Sequence, residues 1–186
     1  MNTVDSTANP KAILILDIDG TINPFFARYT LEDNPERLPN FEEFRINSDS
    51  HGSASAFLPR NLLTNSFHKL EELGVELTWG SAWNGGSNLI LEMLEISSKW
   101  PTIIFPEEID FGMDVKSWKL STVRKYIDEN YSETVPLIWL DDEIFSDAEL
   151  WIQSREGGGL MIRPERHRGL SEEDWAKIIS FVGALA

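Results

Sequence analysis

Two aspartates separated by one residue, Asp17 and Asp19, are the residues whose type and spacing point most directly to chemistry. They follow the apolar run 12–16, which is too short for a typical helix and is typical of a buried strand in a parallel sheet. Open α/β sheets bind ligands at the carboxyl ends of such strands. Two carboxylates in one crevice repel each other unless a cation or a shared proton compensates their charge. The pattern therefore predicts a metal site.

The same Asp-x-Asp-Gly pattern has two other interpretations. One is a surface turn, because Asp and Gly are common turn formers and short motifs also match by chance. The other is a calcium-binding EF-hand loop, which needs Asp or Asn at position 21, Gly at 22 and Glu at 28. The sequence has Thr21, Ile22 and Arg28 there. These residues exclude an EF-hand, whereas a surface turn remains a possible interpretation of the pattern.

Composition narrows the class of protein. A chain of 186 residues is long enough for one α/β domain with a sizeable core. Its net charge of −15 opposes non-specific attraction to nucleic acid or anionic membranes, so nucleic acid is an unlikely partner and no membrane is expected. The absence of cysteine excludes disulfides and cysteine zinc sites. With neither a signal-peptide pattern nor a membrane-spanning apolar stretch, the expected location is cytoplasmic.

The remaining sequence predicts how the elements are arranged. Residues 1–10 are expected to form a polar arm and residues 11–186 a single domain, interrupted by an insertion over about 22–59. Within the insertion, apolar residues on both sides of the turn 48–52 predict a β-hairpin flap. Further strands are predicted at 75–79, 102–105, 137–140 and 160–163, and helices at 61–73, 89–96, 117–130, 147–153 and after the N-cap Ser171. This alternation predicts a doubly wound parallel sheet of the α/β class.

Polar residues follow three of the predicted strands and converge in this topology. Ser81 follows the second strand of the sheet, and Asp141 and Asp142 follow the strand 137–140. Lys119, near the start of a predicted helix, can reach the same crevice. An acidic run at 107–114 is interpreted as solvated surface.

In these residues the sequence resembles the haloacid dehalogenase-like (HAD) phosphohydrolases. Residues 17–21 match the first motif of that family, Asp-x-Asp-Gly-Thr, while Ser81 matches the second motif and Lys119 the third. The pair Asp141-Asp142 matches the acidic fourth motif, and the four motifs occur in the family order from Lys11 to about Ala186. The phrases around Ser81 and Asp141 look like those of a bacterial subgroup of small HAD domains.

The resemblance implies a Mg²⁺-dependent phosphomonoester hydrolase. Asp17 would attack phosphorus to form an aspartyl-phosphate, and Asp19 would act as general acid and then as general base. Ser81 would donate a hydrogen bond to the phosphoryl group, and Lys119 would neutralise charge. The implied metal ligands are the carboxylates of Asp17 and Asp142 and the backbone carbonyl of Asp19, with Asp141 as a less certain ligand.

For several of the predicted site roles, a second residue or a second explanation is possible. Thr78 competes with Ser81, and Lys116 with Lys119. An acid at Asp147 is adequately explained by the helix dipole. The candidate substrate-binding residues are Gly20, Thr21, Trp83 and Asn84, although Trp83 also fits a core position, and His51 and Arg60 are weaker candidates on the flap.

The insertion is too short for a full helical cap domain. In the family, capless members often act on large substrates or use a partner to close the site, so the expected substrate is a phosphorylated small molecule or macromolecule. A signalling receiver domain also has a phosphoacceptor aspartate, but Asp19 beside it favours turnover over a lasting phosphorylated state. A non-catalytic binding module with the same fold is the third alternative.

Overall fold

The computed structural model describes residues 9–25, 40–48, 52–106 and 117–185. Most of the polar arm, the acidic run at 107–114, His51 and Lys116 therefore lie outside the described residues. The strands are β1 (Ala12–Leu16), β2 (Glu42–Ser48), β3 (Gly52–Leu58), β4 (Val75–Trp79), β5 (Leu137–Leu140) and β6 (Gly159–Ile162). The helices are α1 (Arg60–Glu72), α2 (Leu89–Met93), α3 (Leu120–Asn130), α4 (Ser146–Ser154) and α5 (Glu172–Ala184).

Four strands form the parallel sheet that the sequence predicts, in the order β4-β1-β5-β6. Strand β1 is completely buried because both faces of the sheet are covered. Leu14 and Leu16 pack into the apolar cluster on one face, whereas Ile13 and Ile15 pack into the cluster on the other. This two-sided burial explains why the strand is an uninterrupted apolar run rather than an alternating one.

The predicted hairpin is present as the antiparallel pair β2 and β3, with Glu42 opposite Leu58 and Ser48 opposite Gly52. Phe44 and Ala56 bury their side chains in the main apolar cluster, so the base of the hairpin packs on the domain. The backbone N–H of Phe57 also donates to Oδ1 of Asn23, at 2.9 Å. In the described part of the insertion the structure is this hairpin, and no separate cap domain is present among the described residues.

The strand predicted at 102–105 is wrong. Thr102 makes a single bridge to Trp79, and the N–H of Ile103 donates to the Trp79 carbonyl at 2.9 Å. Beyond that point the Asn84 side chain bonds both backbone groups of Phe105, which replaces strand pairing. The helix predicted over 89–96 is also shorter, because α2 ends at Met93 and the backbone turns at Glu95, where φ is +62°.

The last helix begins as the sequence predicts. The Oγ atom of Ser171 accepts a hydrogen bond from the N–H of Asp174 at 3.2 Å, and Oδ2 of Asp174 accepts one from the N–H of Ser171 at 3.0 Å. This capping box satisfies backbone donors that the first turn of a helix leaves unpaired. Among the described residues, no helix combines the length and apolar character needed to cross a membrane.

Candidate active site

The carboxyl ends of β1 and β5 bring three aspartates together. The N–H of Asp17, directly after β1, donates to the carbonyl of Leu140 at the end of β5, at 3.0 Å. Asp141 and Asp142 are the next residues of that strand end. Carboxylate oxygens of Asp17, Asp141 and Asp142 all lie within 4.8 Å of one another. Parallel pairing of two sequence-distant strands therefore forms the acidic cluster.

Lys119, at the N-cap of α3, lies between two of these acids. Its Nζ atom is 3.0 Å from Oδ2 of Asp17 and 2.7 Å from Oδ2 of Asp141. All three side chains are almost completely buried. Burial alone lowers the pKa of a lysine, but the charges of Asp17 and Asp141 outweigh it and hold the pKa of Lys119 above its usual value.

The buried cluster contains two acids, Asp17 and Asp141, for one base, Lys119. Burial, followed by the charge of Asp141, raises the pKa of Asp17 to about 8, although Lys119 opposes the shift. Burial also raises the pKa of Asp141 despite its contact with Lys119. One buried ammonium thus compensates two buried carboxylates incompletely, which is the electrostatic condition under which a bound cation or a proton is favoured.

Asp142 has a different partner, Arg166, from the segment after β6. The guanidinium donates from Nε and Nη2 to Oδ2 of Asp142, at 3.1 and 3.0 Å, and from Nη2 to Oε1 of Glu143 at 2.9 Å. Burial raises the pKa of Asp142 and the hydrogen bonds from Arg166 oppose that shift. Arg166 was not predicted from the sequence, because it lies 24 positions from Asp142 and belongs to no motif.

The Gly-Thr part of the first motif contacts the end of β5. Gly20 has a φ of +78°, and a Cβ at that position would overlap the carboxylate of Asp142. The Oγ1 atom of Thr21 accepts a hydrogen bond from the N–H of Asp142 at 3.2 Å. Within the described structure these two residues therefore set the position of Asp142, which gives a physical reason for glycine and threonine at these positions.

Asp19 is held by two side-chain donors. Nδ2 of Asn23 donates to Oδ1 at 2.6 Å, and Nε1 of Trp83 donates to Oδ2 at 2.8 Å. Because Oδ1 of Asn23 accepts from Phe57 in β3, Asn23 connects Asp19 to the hairpin. Trp83 is half-buried against the core and also bonds Asp19. It therefore lies both in the core position and at the site, the two positions considered from the sequence. No sequence signal identified Asn23.

The loop after β4 holds Ser81 and Asn84. Ser81 is almost fully buried, and its Oγ accepts a hydrogen bond from the N–H of Trp83 at 3.4 Å. The competing residue Thr78 lies inside β4, and its hydroxyl is buried with no hydrogen-bond partner among the described residues. The Asn84 amide donates to the carbonyl of Phe105 at 3.1 Å and accepts from its N–H at 2.8 Å. These contacts give Asn84 a role in holding the loop.

Asp147 anchors the segment that carries Lys119. Its carboxylate accepts from the N–H of Ser117 at 2.9 Å and from its hydroxyl at 2.6 Å, while the Ser117 hydroxyl accepts from the N–H of Phe145 at 2.9 Å. Burial raises the pKa of Asp147, but the hydrogen bonds from Ser117 outweigh it and leave the pKa below its usual value. The helix dipole invoked from the sequence is thus only part of the explanation.

Arg60, the other flap-side candidate, lies at the base of the hairpin. Its Nε contacts Oε2 of Glu42 at 3.2 Å, its Nη1 contacts Oε1 of Glu95 at 3.3 Å, and its guanidinium stacks on the ring of Phe44. These contacts attach the hairpin to the domain.

The donor set of the acidic cluster fits a hard divalent cation, which prefers carboxylate and carbonyl oxygens. The three acids offer such oxygens from buried positions, and burial raises the pKa of each. Asp141 is the least available of them, because Oδ2 contacts Lys119 and Oδ1 accepts from the N–H of Glu143 at 2.8 Å. Asp17 and Asp142 are therefore the better candidate ligands.

Comparison with known families identifies one match over most of the chain. The family described as "HAD domain in Swiss Army Knife RNA repair proteins" matches residues 13–175, a range that includes all of the site residues described above. Among curated proteins, no significant match is found.

Proposed function

We propose that the chain, which belongs to the family of HAD domains in Swiss Army Knife RNA repair proteins, is a Mg²⁺-dependent phosphomonoester hydrolase that works through an aspartyl-phosphate on Asp17. The observation that carries this proposal is the buried contact of Lys119 with Asp17 and Asp141, beside the carboxylate of Asp142. Phosphoryl transfer requires an in-line nucleophile and positive charge on the phosphate oxygens. The cluster contains the acids and the ammonium for both tasks.

The carboxylates of Asp17 and Asp142 and the backbone carbonyl of Asp19 would hold the cation. When bound, Mg²⁺ would offset the charge that the phosphate adds to an already acidic site. Asp141, whose oxygens bond Lys119 and the Glu143 backbone, is better suited to orient the ammonium than to bind metal directly. Lys119 would then stay charged beside Asp17, as its raised pKa supports.

In the first step, an Asp17 carboxylate oxygen attacks phosphorus, a bond from Asp17 to phosphorus forms, and the bond to the leaving oxygen breaks. The leaving oxygen takes its proton from the carboxyl group of Asp19. Asn23 and Trp83 hold the side chain of Asp19 in one orientation for this transfer. Lys119 and the Ser81 hydroxyl would contact the equatorial oxygens, where negative charge is greatest.

In the second step, the Asp19 carboxylate removes a proton from water, and the water oxygen attacks the phosphorus of the aspartyl-phosphate. The bond to Asp17 breaks, which regenerates its carboxylate and releases inorganic phosphate. We also assign Gly20, Thr21, Trp83 and Asn84 to substrate binding. Gly20 and Thr21 are buried and would act by holding Asp142 in position, whereas Trp83 and Asn84 are partly exposed and would contact the substrate directly. This role is compatible with the contacts that their side chains make within the fold.

The family description bears on the substrate. It supports a phosphorylated substrate and does not support the exclusion of nucleic acid that the net charge suggests. Arg166, which bonds Asp142 at the acidic cluster, is a basic residue placed where it could meet a phosphate in an otherwise acidic protein. A phosphorylated end of an RNA strand is therefore included among the candidate substrates.

Hydrolysis assays test the proposal. p-Nitrophenyl phosphate, a panel of phosphorylated metabolites and RNA oligonucleotides with 5′- or 3′-phosphates are incubated with and without Mg²⁺. The wild type is compared with Asp17→Asn and with Glu129→Gln, a carboxylate-to-amide change at an exposed position of α3. Mg²⁺-dependent phosphate release that only Asp17→Asn abolishes is the expected result. A folded but inactive wild type favours a binding module, and a long-lived phospho-Asp17 favours a receiver domain.

A further inference from the structure

We propose that Arg166 is a substrate-binding residue, and that its guanidinium exchanges the carboxylate of Asp142 for a substrate phosphoryl group when a divalent cation binds. The inference deepens the proposed function and rests on it for the identity of the substrate. It follows from the position of Arg166 on the solvent-facing side of the acidic cluster, next to Asp142.

Arg166 contacts the cluster from its exposed side. The Asp142 side chain is 2% exposed, whereas that of Arg166 is 48% exposed, so the guanidinium lies between the buried acid and solvent. Nε and Nη2 both bond Oδ2 of Asp142. Because carboxylate oxygens of Asp142 and Asp17 lie within 4.8 Å of each other, the guanidinium that bonds Asp142 is close to the place where a phosphoryl group at Asp17 would bind.

The backbone that carries Arg166 is fixed to the loop after β1. The carbonyl of Arg166 accepts from the N–H of Phe25 at 3.0 Å, and the N–H of Leu170 donates to the carbonyl of Thr21 at 2.8 Å. Gly169 packs so closely on this loop that a Cβ would lie 2.7 Å from the carbonyl oxygen of Thr21. The backbone of Arg166 is therefore held in place relative to the loop that carries Asp17. A change of partner requires only the Arg166 side chain to move.

Two further contacts would keep the guanidinium beside the acidic cluster when Asp142 binds a cation. Nη2 also bonds Glu143 at 2.9 Å, and the Cζ atom lies 5.2 Å from the centre of the half-exposed Phe25 ring. Neither contact uses Asp142. Arg166 can therefore leave Asp142 without losing its place at the rim.

A cation at Asp142 changes the partner that Arg166 prefers. A cation held by Asp142 would neutralise the carboxylate and repel the guanidinium, and the bond between Arg166 and Asp142 would then be weaker. A phosphate brings two or more acceptor oxygens with a geometry that suits the arginine fork. Arg166 would thus exchange Asp142 for the phosphate when both ligands are bound, whereas in the free protein it stays paired with Asp142.

The test compares Arg166→Gln with Arg163→Gln. Arg163 is the matched control, because it belongs to the same segment as Arg166. It stacks on the ring of Phe145 and has no contact with the acidic cluster among the described residues. Isothermal titration calorimetry measures Mg²⁺ binding to each protein without phosphate, and then inorganic phosphate binding to each Mg²⁺-saturated protein. Thermal unfolding verifies that each variant is folded.

Arg166→Gln is expected to bind Mg²⁺ about 2- to 5-fold more tightly, since it removes a competing, partly exposed ion pair. It is expected to bind inorganic phosphate about 10- to 100-fold more weakly, as for the loss of charged hydrogen bonds. The KM for p-nitrophenyl phosphate should rise with it while kcat changes less. Arg163→Gln should match the wild type in all three measurements.

Three results overturn the inference: phosphate binding that is unchanged in Arg166→Gln, phosphate binding that is unmeasurable in the wild type, and Mg²⁺ binding that becomes weaker in Arg166→Gln. Weaker Mg²⁺ binding would assign Arg166 to the positioning of Asp142. Failure of the proposed function is distinguishable, because a protein without turnover whose phosphate binding still depends on Arg166 retains the site and lacks only the hydrolysis.

Discussion

The Nζ atom of Lys119 lies 3.0 Å from Oδ2 of Asp17, and solvent reaches only 4% and 6% of the two side chains. Replacement of Lys119 by Met leaves buried carboxylates without a cationic partner. We expect a loss of about 3–5 kcal/mol in the free energy of unfolding at neutral pH without Mg²⁺. Phosphatase activity should fall by about 10²- to 10³-fold, as for the removal of one electrostatic donor. Urea denaturation and steady-state kinetics measure the two effects.

The double variant Lys119→Met, Asp141→Asn is the control for this prediction. It removes one buried negative charge with the positive one, so much of the lost stability should return. Activity should not return, because no ammonium remains beside Asp17. A double variant with wild-type kcat would contradict the role of Lys119 in phosphoryl transfer.

Mg²⁺ should stabilise the folded protein before any substrate is added. A ligand at 100 times its Kd adds about 2.7 kcal/mol to the free energy of unfolding if it binds only the folded state. We therefore expect Tm to rise with Mg²⁺ in EDTA-treated wild type and in Glu129→Gln. Differential scanning calorimetry should show most of this rise lost in Asp142→Asn and in Asp17→Asn. An equal rise in all four proteins would place the cation elsewhere.

Much of the fold could be predicted because its signals are local. The apolar runs of β1 and β5 are buried on both sides, and the motif residues stand directly at the ends of these strands. Their order along the chain, with the crossover rule for parallel strands, brings Asp17 and Asp141 to one edge of the sheet. The position of these acids at the ends of predicted parallel strands was therefore enough to predict the acidic cluster.

The contacts that the sequence did not predict depend on tertiary structure. Arg166 meets Asp142 only because the segment after β6 folds back on the first-motif loop. Similarly, Thr102 starts a strand-like pairing with β4, but the side chain of Asn84 bonds Phe105 and ends it. Side-chain hydrogen bonds between distant segments leave no periodic pattern in a sequence, so apolar periodicity could not reveal them.

Trp83→Phe should reduce turnover without affecting the fold. The change keeps an aromatic ring and removes the Nε1 donor that bonds Oδ2 of Asp19 at 2.8 Å. Asn23 then remains as the second donor to Asp19, and the carboxyl group gains rotational freedom. We expect kcat to fall by about 10-fold, the lower range for loss of a bond that orients a charged group, with KM little changed.

Trp100→Phe is the matched control, because its indole also donates to a carboxylate, that of Glu71 at 3.3 Å, away from the acidic cluster. Steady-state kinetics and thermal unfolding on both variants separate orientation from stability. If Trp83→Phe and Trp100→Phe lower kcat equally, the bond to Asp19 has no specific role.

Asp147→Asn should make stability depend less on pH. The hydrogen bonds from Ser117 overcome the effect of burial and lower the pKa of Asp147, so the folded protein binds a proton there less readily than the unfolded chain. The carboxylate therefore stabilises the fold above its unfolded pKa of about 3.9, and this contribution disappears as pH falls through the lower folded value. At pH 7 we expect Asp147→Asn to lose about 1 kcal/mol in the free energy of unfolding.

Urea denaturation of the wild type and Asp147→Asn at pH 7, 5 and 3 measures this difference. It should be full at the two higher values and shrink at the lowest, where the wild-type carboxylate begins to accept a proton. A difference that stays constant from pH 7 to pH 3 would show that the amide merely packs less well than the acid. Because Ser117 precedes Lys119 by two residues, the same variant should also lower kcat by loosening the start of α3.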